Sequence, residues 1–323
     1  MVEIVRTPPL MRQAVLAARA AGRRIGFVPT MGALHAGHGS LIARAAAECD
    51  DVAVSIFVNP TQFGPTEDFE RYPRRLEADC DLLSTHGARW VFAPEAATIY
   101  PPGDATRVVV GGPAGCLEGD VRPGHFEGVA TVVCRLILAV PADVAYFGAK
   151  DWQQTLVVKR MVCDLGMPID VVVCPTVREP DGLAMSSRNA HLNAAERQRA
   201  IGLSESLCRA EEMWMAGATV AAIEQSMRDV LAAHEIAVDY AAVVDLESLK
   251  SLEESAYRPP SNQESAYRPP SNQESAYRLP SNQESAYRPT MSQVSAGMAI
   301  AMVAGRLGST RLIDNRQLPT RRT

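Results

Sequence analysis

What this chain has little of narrows its class before any motif is read. No uncharged apolar run reaches the roughly 18 residues needed to cross a bilayer, and no basic-then-apolar leader opens the sequence. The expectation is a cytoplasmic protein with no membrane partner. The seven cysteines, Cys49, Cys80, Cys116, Cys134, Cys163, Cys174 and Cys208, are odd in number, widely spaced and form no C-x-x-C pair. They read as reduced core thiols rather than a metal site. Net positive charge is missing too: 32 Lys and Arg stand against 37 Asp and Glu, a formal charge of -5. Such a balance gives no broad basic footprint, so nucleic acid is not an expected partner. What is present is ordinary for a globular protein, 47% hydrophobic and 21% charged over 323 residues, enough for two domains or one large one.

Short apolar runs alternate with helix-length segments. Arg24 to Thr30, Val52 to Asn59, Arg89 to Ala93, Val144 to Phe147 and Val171 to Val177 read as strands. Leu41 to Cys49, Leu76 to Thr85, Val129 to Ala139 and Trp152 to Leu165 carry apolar positions at helical spacing. That order predicts an α/β protein with an open, mostly parallel sheet covered on both faces. In such sheets ligands bind beyond the carboxyl ends of the strands, where strand order reverses. After Asn193 the texture shifts to helices at Ala194 to Ala216 and Thr219 to Ala233, then strands at Asp239 to Asp245 and Met298 to Arg306. A boundary is expected near Pro180 to Arg188, dividing the chain into residues 1–183 and a smaller α+β domain, 184–323.

Between those last strands Glu254-Ser-Ala-Tyr-Arg-Pro-Pro-Ser-Asn-Gln263 recurs at 264–273 and, with Leu279 for Pro, at 274–283, then in part at 284–289. Such Pro-, Ser-, Asn- and Gln-rich decapeptides cannot bury a core. The stretch 254–289 is expected to be a disordered or polyproline-like loop. It reads either as a ligand for some partner or as a duplication tolerated because loop-closure cost grows only logarithmically with length.

The most informative segment is Val28-Pro-Thr-Met-Gly-Ala-Leu-His-Ala-Gly-His-Gly-Ser-Leu41. An apolar strand runs into a Gly-punctuated turn that delivers His35 and His38 at a helix start. Imidazoles three apart share one helical face, above backbone N–H groups and a dipole end that favour an anion. Two donors already in place can stabilise the charge that develops when an α-phosphate is attacked. H-x-G-H alone also fits two surface histidines around a helix start.

Four further clusters accompany the pair: Phe57-Val-Asn-Pro-Thr-Gln-Phe63, Arg122-Pro-Gly-His-Phe-Glu-Gly128, Phe147-Gly-Ala-Lys-Asp-Trp-Gln-Gln154 and Asp181-Gly-Leu-Ala-Met-Ser-Ser-Arg-Asn189, with a late Thr310-Arg-Leu-Ile-Asp-Asn315. In this order they closely resemble the pantothenate synthetase (pantoate–β-alanine ligase) family, over about residues 3 to 250 and 298 to 315. The resemblance implies a Rossmann-like nucleotidyltransferase fold and an ATP-dependent ligase. It would join D-pantoate to β-alanine through a pantoyl-adenylate, releasing pyrophosphate and AMP, with Mg²⁺ accompanying ATP and the chain acting as a homodimer.

By the same resemblance, His35, His38, Lys150 and Arg188 are the catalytic candidates. ATP is expected on Met31, Gly32, His35, Gly37 and His38; on Gly148, Lys150 and Asp151, the last toward the ribose; and on Val177, Met185, Ser186, Ser187 and Arg188. Lys150 can place a mobile point charge beside the phosphates, and Ser186, Ser187 and Arg188 suit phosphate oxygens, although Ser-Ser-Arg alone fits a capped turn. Gln62 and Gln154 are the expected pantoate pair, their neutral amides orienting hydroxyls and carboxylate without damping the nucleophile. Asn59 and Tyr72 are placed on the amine or phosphate side, Arg122 and His125 among structural supports. Asp79 and Asp81 are candidate Mg²⁺ carboxylates, although their stretch fits the solvated face of a helix better.

Three features depart from the family pattern. Ala149 stands where Glu is common, Thr61 where Met is common, and the repeats lengthen a hairpin connection, which is expected to loosen the pairing of Tyr240 to Asp245 with Ala299 to Arg306. Two rival readings remain: an H-x-G-H nucleotidyltransferase that keeps the adenylyl group on its product, against which Gln62 and Gln154 argue, and an inactive scaffold with a repeat-mediated partner.

Overall fold

Runs rich in β-branched and aromatic residues, bounded by Gly, Pro and Asp, fold as short strands whose alternate side chains enter two different cores. In the computed structural model, which describes residues 2–64, 67, 69–252 and 298–321, these are β1 (Glu3–Val5), β2 (Ile25–Thr30), β3 (Asp51–Ile56), β4 (Trp90–Phe92), β5 (Val144–Gly148) and β6 (Asp170–Cys174). They form one sheet in the order β1-β4-β3-β2-β5-β6, every recorded pair parallel. Phe27, Ala53, Ala145 and Phe147 face a core closed by the helices Pro8–Ala20, His125–Ala139 and Trp152–Asp164. Val28, Val52, Val54, Val144 and Tyr146 face the opposite core, under the helices Ala36–Glu48 and Leu76–Thr85. Both faces are therefore covered, as the near-continuous apolar strands require.

The five expected strands are all present, four of them shorter. Phe57 to Asn59 and Pro175 to Val177 lie beyond the ends of β3 and β6. β1, too short to show a period, and the helix Pro8–Ala20 were not among the expected elements, although two prolines stand at the first positions of that helix. The predicted helix from Ala194 to Ala216 is broken into Ala194–Arg199 and Gly202–Met215.

The remainder builds a second sheet from β7 (Ala237–Asp245), β8 (Ala299–Leu307) and β9 (Thr310–Leu318), antiparallel in that order. The helices Gly202–Met215 and Val220–Ala233 cover one face and supply Leu203, Leu207, Ile223, Met227 and Leu231 to its core. Contrary to the expected loosening, β7 and β8 pair from Ala237↔Arg306 to Asp245↔Ala299 with a single register shift after Val238. The decapeptides at 254–289 lie outside the described residues. Leu183 already packs in this second core and Arg178 bridges Ala184, so the chain enters the second body before the expected division at 183/184.

The two bodies are joined by apolar packing of Trp152 against Val244, Leu246, Ile300 and Met302 and by a charged clamp. Glu118, 5% exposed, accepts from Arg311 at 2.8 and 2.6 Å and from the Tyr240 hydroxyl at 2.9 Å. Arg311 also donates to Asp239 at 2.6 Å. Burial pushes the Glu118 carboxyl up, but Arg311 and Arg122 outweigh it and hold the group below its ordinary value. A carboxyl with a depressed folded-state pKa stabilises above its unfolded value and loses that contribution as pH falls through the folded one. Replacing Glu118 by Gln is expected to lower urea-unfolding stability at neutral pH by about 3 kcal/mol, because Arg311 is left buried without its full charge partner. The wild-type advantage should shrink below about pH 4; equal stability at neutral pH would contradict the clamp.

Candidate active site

Strand order reverses between β2 and β5, and there the sheet opens. The Ile25 carbonyl accepts from Asp143 N–H on the β5 side, and the two-residue alternation of a strand turns the Pro29 nitrogen to that same side. Proline has no N–H to give, and β2 pairs with β5 only at Gly26 and Phe27. Beyond that point the strands part over a cavity of about 1190 Å³.

The loop after β2 is shaped from behind. Gly32 and Ala33 both take positive φ, +84° and 51°, which costs a non-Gly residue energy unless something holds it. Asp79 holds it: its buried carboxylate accepts from Ala33 N–H at 3.0 Å and Leu34 N–H at 2.8 Å. The chain is thereby aimed at the helix Ala36–Glu48, which His35 caps.

His35 Nδ1 accepts from Gly37 N–H at 3.2 Å, and His38 Nδ1 accepts from His35 N–H at 3.3 Å. The imidazoles do what Ser and Glu do in an ordinary capping box. With each Nδ1 occupied as an acceptor, the ring proton sits on Nε2, the atom left for a ligand. Burial, with Lys150 nearby, lowers His35 to about 4; burial, with His35 at 4.1 Å between ring centroids, lowers His38 to about 3. Both rings are neutral donors at physiological pH.

Across the parting, Gly148 ends β5 and Lys150 and Asp151 follow, Lys150 Nζ lying 3.5 Å from Asp151 Oδ1. Partial burial raises the Asp151 carboxyl while Lys150 and Arg188 outweigh it and keep it below the ordinary range. The turn is fixed from the second body: Asn315 Nδ2 donates to the Ala149 and Lys150 carbonyls at 2.9 and 2.7 Å. Its neighbour Asp314 is gripped in a two-pronged contact by Arg178 at 2.6 and 3.1 Å. The third wall comes from Val177, Met185, Ser186, Ser187 and Arg188, tied by Met185 N–H to the Val177 carbonyl, Ser186 Oγ to Arg188 N–H and Ser187 Oγ to the Tyr72 hydroxyl.

Gln62 and Gln154 both line the cavity. Gln62 closes the short 3₁₀ turn Pro60–Gln62, and its carbonyl accepts from His125 Nδ1 at 2.9 Å and Arg122 at 3.3 Å. A Cβ on Gly128 would run into the Thr61 carbonyl, so glycine is required where the helix His125–Ala139 meets this turn. Arg122 and His125 thus brace this turn while also lining the cavity. Gln153, one residue from Gln154, is instead buried and bonded to the Pro113 and Cys116 carbonyls.

Some expectations need correction. Asn59 does not reach the cavity wall: it is 1% exposed, and its amide is taken up by Gln62, Gly128, Thr61 and Tyr100. Gly32 also stays off the wall and acts through its backbone turn. Asp79 is neither solvated nor available to a metal, both oxygens being committed to the loop, while Asp81 is exposed. Among the described residues no three His, Cys, Asp or Glu side chains gather to hold a metal ion. Residues whose part sequence reasoning missed are Asn315, Arg178, Glu118 and Tyr100; only Asn315 carried a signal, its place in the late Thr310 to Asn315 motif.

The family model described as Pantoate-beta-alanine ligase matches residues 3–317. The chain belongs to the pantoate–β-alanine ligase family. Among similar proteins, the pantothenate synthetase of Roseiflexus castenholzii is 46% identical over 302 residues, 93% of this chain and 94% of its own, and that of Acidiphilium cryptum is 51% identical over 77% of this chain and 90% of its own. The solved pantothenate synthetase of Thermus thermophilus superposes with a TM-score of 0.80 at 42% identity, covering 98% of this chain and 100% of that one. A Francisella tularensis pantoate-beta-alanine ligase complexed with beta-gamma ATP and beta-alanine gives a TM-score of 0.72 at 29% identity, over 98% of both chains. The nucleotidyltransferase-like fold expected of this ligase family is therefore present.

The paired imidazoles yield a direct prediction. Long-range ¹H–¹⁵N correlation spectra at neutral pH should show both His35 and His38 as Nε2–H tautomers, with no titration down to about pH 5, since burial holds both well below the ordinary histidine value. A midpoint near the ordinary value for either ring would contradict the geometry.

Proposed function

We propose that this cavity carries out the family's ligation in two steps, with pantoyl-adenylate between them. A carboxylate is a poor electrophile, so a pantoate carboxylate oxygen first attacks the α-phosphorus of ATP, forming a P–O bond as the bond to pyrophosphate breaks. The β-alanine amine then attacks the acyl carbon, forming the amide as AMP leaves. The observation that carries this reading is the pair of neutral Nε2–H donors at the parting of β2 and β5, facing Lys150 across the cavity.

His35 and His38 stabilise charge on the α-phosphate and the departing pyrophosphate without having to lose or gain a proton. Lys150 adds a full positive charge whose main chain is pinned by Asn315, and Arg188 with Ser186 and Ser187 takes the outer phosphates. Met31, Gly37 and Gly148 supply close backbone around the nucleotide, with Asp151 on the ribose hydroxyls and Val177 and Met185 beside the base. Gln62 and Gln154 hold pantoate with its carboxylate uncompensated by any cation of their own. Tyr72, bonded to Ser187, borders the amine side. Ala149 in place of Glu is tolerated because its carbonyl, not its side chain, is what Asn315 holds.

Mg²⁺ enters as the counter-ion of the triphosphate. Among the described residues no side chains form a cage for it, and Mg²⁺ ordinarily keeps its waters and takes phosphate oxygens. The cytoplasmic reading rests on the seven cysteines, all present as free thiols. The homodimer reading rests on the resemblance to the family alone.

Pantoate- and β-alanine-dependent AMP release by the full-length chain tests the reading. His38→Ala and Lys150→Ala should each slow adenylation in a rapid-quench assay by about 100- to 1000-fold, the loss of about 3 to 4 kcal/mol found for one preorganised donor. An unchanged adenylation rate in either variant would remove that residue from the mechanism. Deleting residues 264–283 should leave turnover within about twofold, since a shorter loop changes closure entropy little; a large gain on deletion would show that the repeats impede the cycle.

A further inference from the structure

The reading of Gln62 as a pantoate contact leaves open which end of its amide meets the substrate, and the network behind it decides this. Two main-chain groups of fixed polarity flank the Asn59 side chain. The Gly128 carbonyl can only accept, so the Asn59 atom at 3.2 Å from it is Nδ2. The Thr61 N–H can only donate, so the atom at 3.3 Å from it is Oδ1. The Thr61 and Tyr100 hydroxyls add donors to Oδ1 at 3.0 and 2.8 Å. Asn59 therefore cannot rotate its amide without placing like against like at both main-chain contacts.

That orientation is passed on. Asn59 Nδ2 donates to Gln62 at 3.1 Å, which makes the receiving atom Oε1 and leaves Nε2 on the cavity side, resting 3.0 Å from the Met31 sulfur. A thioether is a weak acceptor, easily exchanged for a carboxylate or hydroxyl oxygen.

We infer that Asn59 is a positioning residue: oriented by the Gly128 carbonyl and the Thr61 N–H, it forces Gln62 to meet the acid substrate as an N–H donor and never as an acceptor. The inference rests on the assignment of Gln62 to the pantoate wall. Thr61 strengthens the device in this chain, where a methionine would supply no hydroxyl. What Gln62 selects is thus an oxygen with a lone pair to offer, and an analogue presenting an N–H or methyl there is rejected.

Asn59→Asp tests this with almost no change of shape. The ionised carboxylate of that variant cannot donate, so Gln62 loses the bond that fixes its orientation. The KM for D-pantoate should rise by about tenfold or more, the worth of one hydrogen bond to a charged group, while the KM for ATP stays within about twofold of wild type. A pantoate KM like that of wild type, or a defect equal for ATP and pantoate, overturns the inference. If Asn59→Asp does not fold by circular dichroism, the pair Thr61→Val with Tyr100→Phe removes both hydroxyl donors and keeps the main-chain groups. It should raise the pantoate KM by about three- to tenfold with the ATP KM unchanged, and a matching rise for ATP contradicts the relay. Gln62→Ala separates the two layers: an unchanged pantoate KM there sinks the assignment of Gln62 itself, whereas a raised one beside a normal Asn59→Asp sinks the relay alone.

Discussion

The parting of β2 from β5 beyond Phe27 is the constraint on which the rest of the site depends. A parallel sheet resists being opened, because each lost ladder bond leaves buried donors and acceptors unpaired. Here one group that would have bonded across the gap is absent from the start, since Pro29 has no N–H on that side. The chain leaving β2 can then turn into the crevice, and the chain leaving β5 can face it with Lys150. Had the two strands stayed paired to their ends, the histidine loop and the Lys150 turn would lie against one another with no room for a nucleotide between them.

What lines the crevice is a set of polar groups whose orientation traces back to main-chain contacts. Gly37 N–H and His35 N–H occupy the two Nδ1 atoms, Asn315 pins the Lys150 carbonyl, and the Gly128 carbonyl orients Asn59. Backbone groups move little and do not titrate, so each proposed catalytic atom is held in one protonation state and one direction before substrate arrives. Stabilisation of developing charge is then available without reorganisation during the step. The small antiparallel sheet takes part through Asn315 and through the Glu118–Arg311–Asp239 clamp, which ties the proposed nucleotide site to the docking of the two bodies.

Much of this was legible in the sequence. The longer strands of the parallel sheet and the helices Ala36–Glu48, Leu76–Thr85, His125–Ala139 and Trp152–Asp164 declared themselves through periodicity, whereas the helix Pro8–Ala20 and the strand β9 were not read; H-x-G-H after a strand suggested an anion site. Motif spacing named most of the cavity wall. Asn59 and Asp79 were misplaced for one reason: a polar residue beside a substrate motif is read as a ligand contact, whereas burial and backbone partners, visible only in three dimensions, turned both inward. Glu118 and Tyr100 carried no local signal, because their partners Arg311 and Asn59 are 193 and 41 residues away. β1 was too short for its pattern to register, and the early turn into the second body at Arg178 depends on its pairing with Asp314, again far away in sequence.

The central claim is that pantoate is activated as an acyl-adenylate at the β2–β5 crevice before any amine takes part. Exchange of labelled pyrophosphate into ATP, measured with pantoate present and β-alanine absent, tests it most directly. The account predicts exchange that requires pantoate and is lost in His38→Ala. No exchange from a chain that still forms AMP when both substrates are supplied would mean a concerted reaction with no free-standing adenylate, and would contradict it.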